Sequence, residues 1–199
     1  MNIAILTFEG FNELDSFIAA GILNRMKGDG WNIQICCPSE AVTSMNGVTI
    51  KAQQPIEFAN NADVVLFGSG IYTRDIAKDI TILNRLQLDT SKQLIGAQCS
   101  GTLLMAKLEL LNGMPACTDL TTKPWVIEAG VNILDQPFYA QGNTATAGGC
   151  LASQYLATWV IAKKAGKQAA ESAISYVAPV GEKDTHTKHC LSVVEQYID

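Results

Sequence analysis

Cys99 is the residue best placed to do chemistry. It lies in Gln93-Leu-Ile-Gly-Ala-Gln-Cys99-Ser-Gly101-Thr-Leu-Leu-Met105, where an apolar, strand-like run passes through small residues into a helical pattern. A strand–turn–helix junction with a nucleophile at its apex is a nucleophile elbow. So sharp a turn needs small neighbours, and Ala97 and Gly101 supply them. The helix that follows aims free N–H groups and its positive end at the sulfur, which predicts a thiolate. The alternative is an inert thiol buried at a strand end, since free cysteine is among the most buried residue types. The flanking pattern favours the reactive reading.

Gly68-Ser69-Gly70 follows a core strand and could bring backbone N–H groups to an anion or a developing oxyanion. Asp15, in Glu13-Leu-Asp15-Ser-Phe17, starts the first helix and would face the same rim as Cys99. The residues alone favour a solvated acid stabilised by the helix dipole, and Glu9 and Glu13 lie close enough to be confused with it. The only histidines are His186 and His189. With Asp184 and Cys190 they form D-x-H-x-x-H-C, whose spacing matches no compact metal signature. The segment reads as a polar terminus, and no metal or cofactor is expected. Cys36 and Cys37 read as core. Cys117 and Cys150 flank candidate loops near the site without a catalytic assignment.

The elements that must position these groups alternate. Strands are expected at 2–7, 31–37, 62–67, 93–97 and 144–147, with short ones at 48–52 and 131–134. Helices are expected at 13–27, 74–88, 100–111, 124–130, 152–164 and 167–176. The helix from 100 is expected to run on to Asn112-Gly113, since glycine marks a helix end. Alternation of this kind implies parallel βαβ units, hence an α/β fold with a doubly wound, mostly parallel sheet covered by helices on both faces. Ligands then bind beyond the carboxyl ends of the strands, so the loops after Thr7, Phe67 and Ala97 matter most.

Composition narrows the function. The 199 residues suit one domain spanning 1–199. Hydrophobic residues at 48% and charged residues at 17% exclude a disordered chain. Fourteen basic against nineteen acidic residues, a net charge of -5, argue against nucleic-acid binding. No run approaches the roughly 18 apolar residues of a membrane span. The opening residues read as a strand and not a signal peptide. Six cysteines without C-x-x-C spacing fit reduced thiols in a cytoplasmic protein.

The pattern as a whole resembles the ThiJ/PfpI superfamily, which shares the flavodoxin-like, class I glutamine amidotransferase-like fold and includes Parkinson disease protein 7. The resemblance covers nearly the whole chain. It rests on Ile3-Ala-Ile-Leu, Asp15 in its motif, Ala62-Asp-Val-Val-Leu-Phe-Gly-Ser-Gly70, Gly96-Ala-Gln-Cys99-Ser-Gly, Leu111-Asn-Gly and Thr144-Ala-Thr-Ala-Gly-Gly. It implies Cys99 as nucleophile, Asp15 as the acid bonded to it, the N–H groups of Gly70 and Ser100 beside Gly101 as oxyanion donors, and a homodimer. The departures are informative. Peptidase- and amidase-like members have His directly after the cysteine, where this chain has Ser100. Others have His six residues after the Leu-x-Gly glycine, where this chain has Asp119. Both routes to a catalytic imidazole are absent. The site pattern is closest to the isocyanide hydratase branch, in which a hydroxyl residue follows the cysteine and an Asp sits nearby.

The expected activity is therefore addition of Cys99 to a small electrophile, an isocyanide or a glyoxal, with Asp15 as acid and Asp119 as a candidate second carboxylate. The alternative is a non-enzymatic redox- or ligand-sensing role for Cys99. An amidase or peptidase ranks last. Trp125, Phe138 and Tyr139 are candidate pocket walls.

Overall fold

The computed structural model describes residues 1–198. The strands are β1 (Asn2–Leu6), β2 (Asn32–Cys37), β3 (Ala41–Thr43), β4 (Thr49–Lys51), β5 (Gln54–Pro55), β6 (Val64–Phe67), β7 (Leu94–Gln98), β8 (Phe138–Gln141) and β9 (Thr144–Ala147). Seven of them form one sheet in the order β5-β2-β1-β6-β7-β9-β8. All neighbours run parallel except β8 and β9, which form an antiparallel hairpin. β3 and β4 make a separate two-stranded ribbon.

Both faces of the sheet are apolar, as a parallel sheet covered on both sides requires. Along β1, Ile3 and Ile5 enter one core while Ala4 and Leu6 enter the other. The first core is completed by α1 (Glu13–Leu23) and, after the shorter helices described below, by α6 (Ser153–Ala165), α7 (Lys167–Val177) and α8 (Lys183–Val194). The second is completed by α2 (Thr73–Ile76), α3 (Ile80–Leu83), α4 (Gly101–Lys107) and α5 (Lys123–Glu128). α6 is buried along most of its length, with Leu156, Trp159 and Val160 fully covered. Gly96 in β7 admits it: a Cβ there would lie 2.6 Å from Leu156 Cδ1.

Several sequence expectations need correction. The helix expected over 74–88 is two single turns, because Asp79 accepts from Thr81 N at 2.9 Å and starts a new N-terminus. The helix expected over 13–27 is α-helical only to Leu23 and continues as a 3-10 turn to Asp29. No strand forms over 131–134; Ile133 makes one isolated bridge with Ala116. The C-terminal stretch read as a polar terminus is α8, which buries Thr187, Cys190, Leu191 and Val194, a helical stripe half disguised by polar residue types. Phe138 and Tyr139 belong to the edge strand β8, packed on Trp159 and Tyr197, and are not pocket walls. Among the described residues no helix is long and apolar enough to cross a membrane.

Candidate active site

β7 ends at Gln98 and α4 begins at Gly101, so Cys99 and Ser100 make the turn alone. Cys99 adopts φ 47°, a left-handed conformation costing a non-glycine residue about 1–3 kcal/mol. The surroundings hold it there. Its N–H donates to Ala147 O at 2.8 Å, and its carbonyl accepts from Thr118 Oγ1 at 2.8 Å. Gly101 is obligatory at this corner, since a Cβ would lie 2.7 Å from both Phe67 O and Gly68 O. The first amides of α4 have no i−4 carbonyl within the helix; Thr102 N donates instead to Cys99 O at 3.3 Å and Leu103 N to Ser100 O at 3.0 Å.

Asp15 reaches the sulfur from α1. Asn12 caps that helix by accepting from Leu14 N at 3.1 Å. One turn later Asp15 points inward and is 0% exposed, which replaces the solvated-acid reading. Cys99 Sγ donates to Asp15 Oδ1 at 3.6 Å, and Ser153 Oγ donates to the same oxygen at 3.3 Å. Ser69 Oγ donates to Asp15 Oδ2. Glu9 and Glu13 serve elsewhere: Glu9 accepts from Thr43 N, and Glu13 from Ser44 and Asn46 in the loop between β3 and β4.

The electrostatics run against the simple dipole expectation. Burial, reinforced by the negative charges of Asp15 and then Cys150, pushes the Cys99 thiol far above its ordinary value. Burial also raises the Asp15 carboxyl; the hydrogen bonds from Ser69, Cys99 and Ser153 oppose that shift, while the charge of Asp119 adds to it. A helix N-terminus contributes only about 1 kcal/mol in favour of a thiolate. Two anions at the separation of this contact repel by several times that. The resting site therefore keeps the proton on the Cys99 sulfur, hydrogen-bonded to the Asp15 carboxyl. Cys36 and Cys117 are pushed up to about 12, and Cys37 and Cys190 to about 11, as expected of thiols in the core.

A cleft of about 360 Å³ opens over Cys99. Asp119 borders it beside Trp125, on whose ring the Arg74 guanidinium stacks at 4.8 Å. Asp119 Oδ1 accepts from Thr121 N and Thr122 N, both at 2.9 Å, while its buried Oδ2 has no hydrogen-bond partner. Met45 and Ile71 supply apolar wall, and among the described residues no lysine, arginine or histidine lines the cleft. His186 pairs with Gln154 at 2.8 Å and His189 with Tyr155 at 3.0 Å, both on α6.

The expected oxyanion donors need a qualification. Gly70 N donates to Ser100 Oγ at 3.1 Å, and Ser100 Oγ also contacts Thr73 Oγ1 at 2.8 Å. An oxyanion must displace the Ser100 hydroxyl to reach the Gly70 amide. Gly70 itself admits no side chain, because a Cβ would lie 2.5 Å from Gly10 O. The hydroxyls of Ser69 and Ser153 carry no signal strong enough to find in the sequence, whereas Cys150, which flanks a candidate loop, does come to the site. Cys150 Sγ lies 4.0 Å from Cys99 Sγ and accepts from Asn12 Nδ2 at 3.1 Å. Asp15, Cys99 and Cys150 place their ligand-capable atoms within 4.8 Å of one another.

Comparison with known proteins bears on the fold that carries this site. Residues 1–163 match the sequence pattern of the DJ-1/PfpI family. No curated protein matches the chain by sequence. Solved structures similar to it include DJ-1 of Schizosaccharomyces pombe, at TM-score 0.74 and 16% identity over 90% of this chain and 100% of that one. A ThiJ/PfpI family protein from Pseudomonas syringae superposes at TM-score 0.77 and 21% identity, over 98% of this chain and 86% of that one. Oxidized DJ-1 of Toxoplasma gondii superposes at TM-score 0.72 and 16% identity, over 88% and 97%. At these identities the likeness establishes the shared fold.

Proposed function

This chain belongs to the DJ-1/PfpI family, and from the contact between the Cys99 sulfur and the Asp15 carboxylate we propose a cysteine-dependent enzyme that adds to a small, neutral electrophile. The contact carries the reading because it joins a nucleophile to a proton carrier at the floor of a cleft. As Sγ attacks the electrophilic carbon, the thiol proton passes to Asp15. The raised pKa of Asp15 suits it to hold that proton and deliver it. Ser69 and Ser153 keep the carboxyl oriented through the transfer.

Hydration of an isocyanide is the concrete form. Attack of sulfur on the terminal carbon, with protonation of that carbon by Asp15, yields a thioimidate. Water then adds to it and the C–S bond breaks, returning the thiol and releasing an N-substituted formamide. A glyoxal is the related carbonyl substrate. Asp119 and Asp15 disfavour anionic substrates, and the apolar wall of Met45, Ile71 and Trp125 accepts a small organic group. Ser100 and Gly101 would offer their amides to charge developing on the substrate. Peptidase or amidase chemistry ranks last, since both imidazoles are engaged with α6.

The test is a panel of alkyl and aryl isocyanides and simple glyoxals, followed by chromatography of the formamide or hydroxy acid, with Cys99→Ala as control. Formamide production that vanishes in the variant supports the reading. Absence of turnover across the panel, with Cys99 still alkylatable, overturns it in favour of sensing without catalysis. A homodimer and a cytoplasmic location form part of the proposal, and sedimentation equilibrium of the purified chain checks the first.

A further inference from the structure

Cys150 has no part in the addition chemistry, yet its sulfur stands 4.0 Å from that of Cys99. We propose that Cys150 is a resolving cysteine: a peroxide oxidises Cys99 to a sulfenic acid, and Cys150 captures it as an intramolecular Cys99–Cys150 disulfide. The inference shares the nucleophilic Cys99 with the addition reading but requires no organic substrate.

Four observations converge on the pair. Both sulfurs border the same cleft, so a molecule as small as hydrogen peroxide reaches them. The S–S bond, about 2.05 Å long, requires roughly 2 Å of closure. The chain before Cys150 can provide it: Gly148-Gly149 precedes the residue, Gly149 sits at φ 93°, and the space where its Cβ would stand is open. Asn12 Nδ2 donates to Cys150 Sγ and orients the sulfur from the helix that carries Asp15. Cys36, Cys37, Cys117 and Cys190 are buried in the cores, which leaves Cys150 as the partly exposed thiol beside the nucleophile.

The electron count closes with peroxide as oxidant. Cys99 Sγ attacks one peroxide oxygen, the O–O bond breaks, and the thiol proton travels through Asp15 to the departing hydroxide as water. Sulfur loses two electrons and the peroxide gains them. Cys150 Sγ then attacks Cys99 Sγ, the S–O bond breaks, and the Cys150 proton leaves with the hydroxide as a second water. An external dithiol restores both thiols.

The experiment treats the reduced full-length chain with one equivalent of hydrogen peroxide and maps its peptides by mass spectrometry without reduction. The expected result is a cross-linked pair of peptides containing Cys99 and Cys150, with two of the six free thiols lost. In Cys150→Ser the sulfenic acid at Cys99 should persist long enough to be trapped by dimedone, and a second equivalent of peroxide, added to both proteins, should advance it to sulfinic acid in the variant. Wild-type Cys99 that advances to sulfinic acid as fast as in Cys150→Ser, that does not react, or that cross-links to another cysteine overturns the proposal. The readout is independent of turnover, so a failed substrate screen and a failed cross-link are distinguishable.

Discussion

Replacing Asp15 by Asn should move two properties of Cys99 in opposite directions. The carboxylate raises the thiol's pKa by its negative charge and by accepting the S–H bond. Removing that charge lowers the pKa of Cys99. At 3.6 Å and an effective dielectric of about 20, two unit charges repel by about 5 kcal/mol. Even if cleft water discounts this threefold, the thiolate fraction at fixed pH rises about tenfold. Turnover should fall by about 10²–10⁴, because the proton carrier is gone. The amide is isosteric and can keep the contacts to Ser69 and Ser153, so the elbow should survive. The assay is the rate of iodoacetamide alkylation of the Cys99 peptide as a function of pH, read beside formamide production. Faster alkylation with slower turnover is expected. Slower or unchanged alkylation would refute the repulsion argument, and full turnover would remove Asp15 from the chemistry.

Two further outcomes follow from the same contacts. Asp15 is neutral more readily in the folded chain than unfolded, so its burial costs nothing below the ordinary carboxylate value of 3.8 and an increasing amount as pH rises from there through the folded pKa; Asp15→Asn should therefore raise Tm more at pH 7.5 than at pH 4, measured by calorimetry. Gly101→Ala drives a Cβ to 2.7 Å from two backbone oxygens and should cost about 1–3 kcal/mol, read as a lower denaturation midpoint together with displaced, slower alkylation of Cys99.

Much of the fold was legible because it is written locally. The alternation of Ile3, Ala4, Ile5 and Leu6 assigns each side chain to a face, and the small residues around Cys99 announce a tight turn whatever lies elsewhere. α8 escaped notice because the polar run Lys183-Asp-Thr-His-Thr-Lys-His189 hides the stripe that Thr187, Cys190, Leu191 and Val194 bury. The helix expected over 74–88 failed because one capping carboxylate, Asp79, outweighed a weak periodicity.

The site divides the same way. That Cys99 stands on an elbow, and that an acid follows the first strand, are properties of short stretches of chain. Which acid reaches the sulfur, and what surrounds it, depend on contacts between residues far apart. Ser153 meets Asp15 across 138 positions, and Cys150 meets Cys99 across 51. No periodicity reports such distances, because they arise only when β7, β9 and α1 are brought to one rim of the sheet. The protonation state follows from the same assembly: a helix end alone favours a thiolate, but burial beside a second acid favours the thiol. The sequence by itself determined the turn and the cysteine at its apex, and only the tertiary structure decided that cysteine's partners and its proton, because desolvation and charge proximity exist only once the chain has closed around the site.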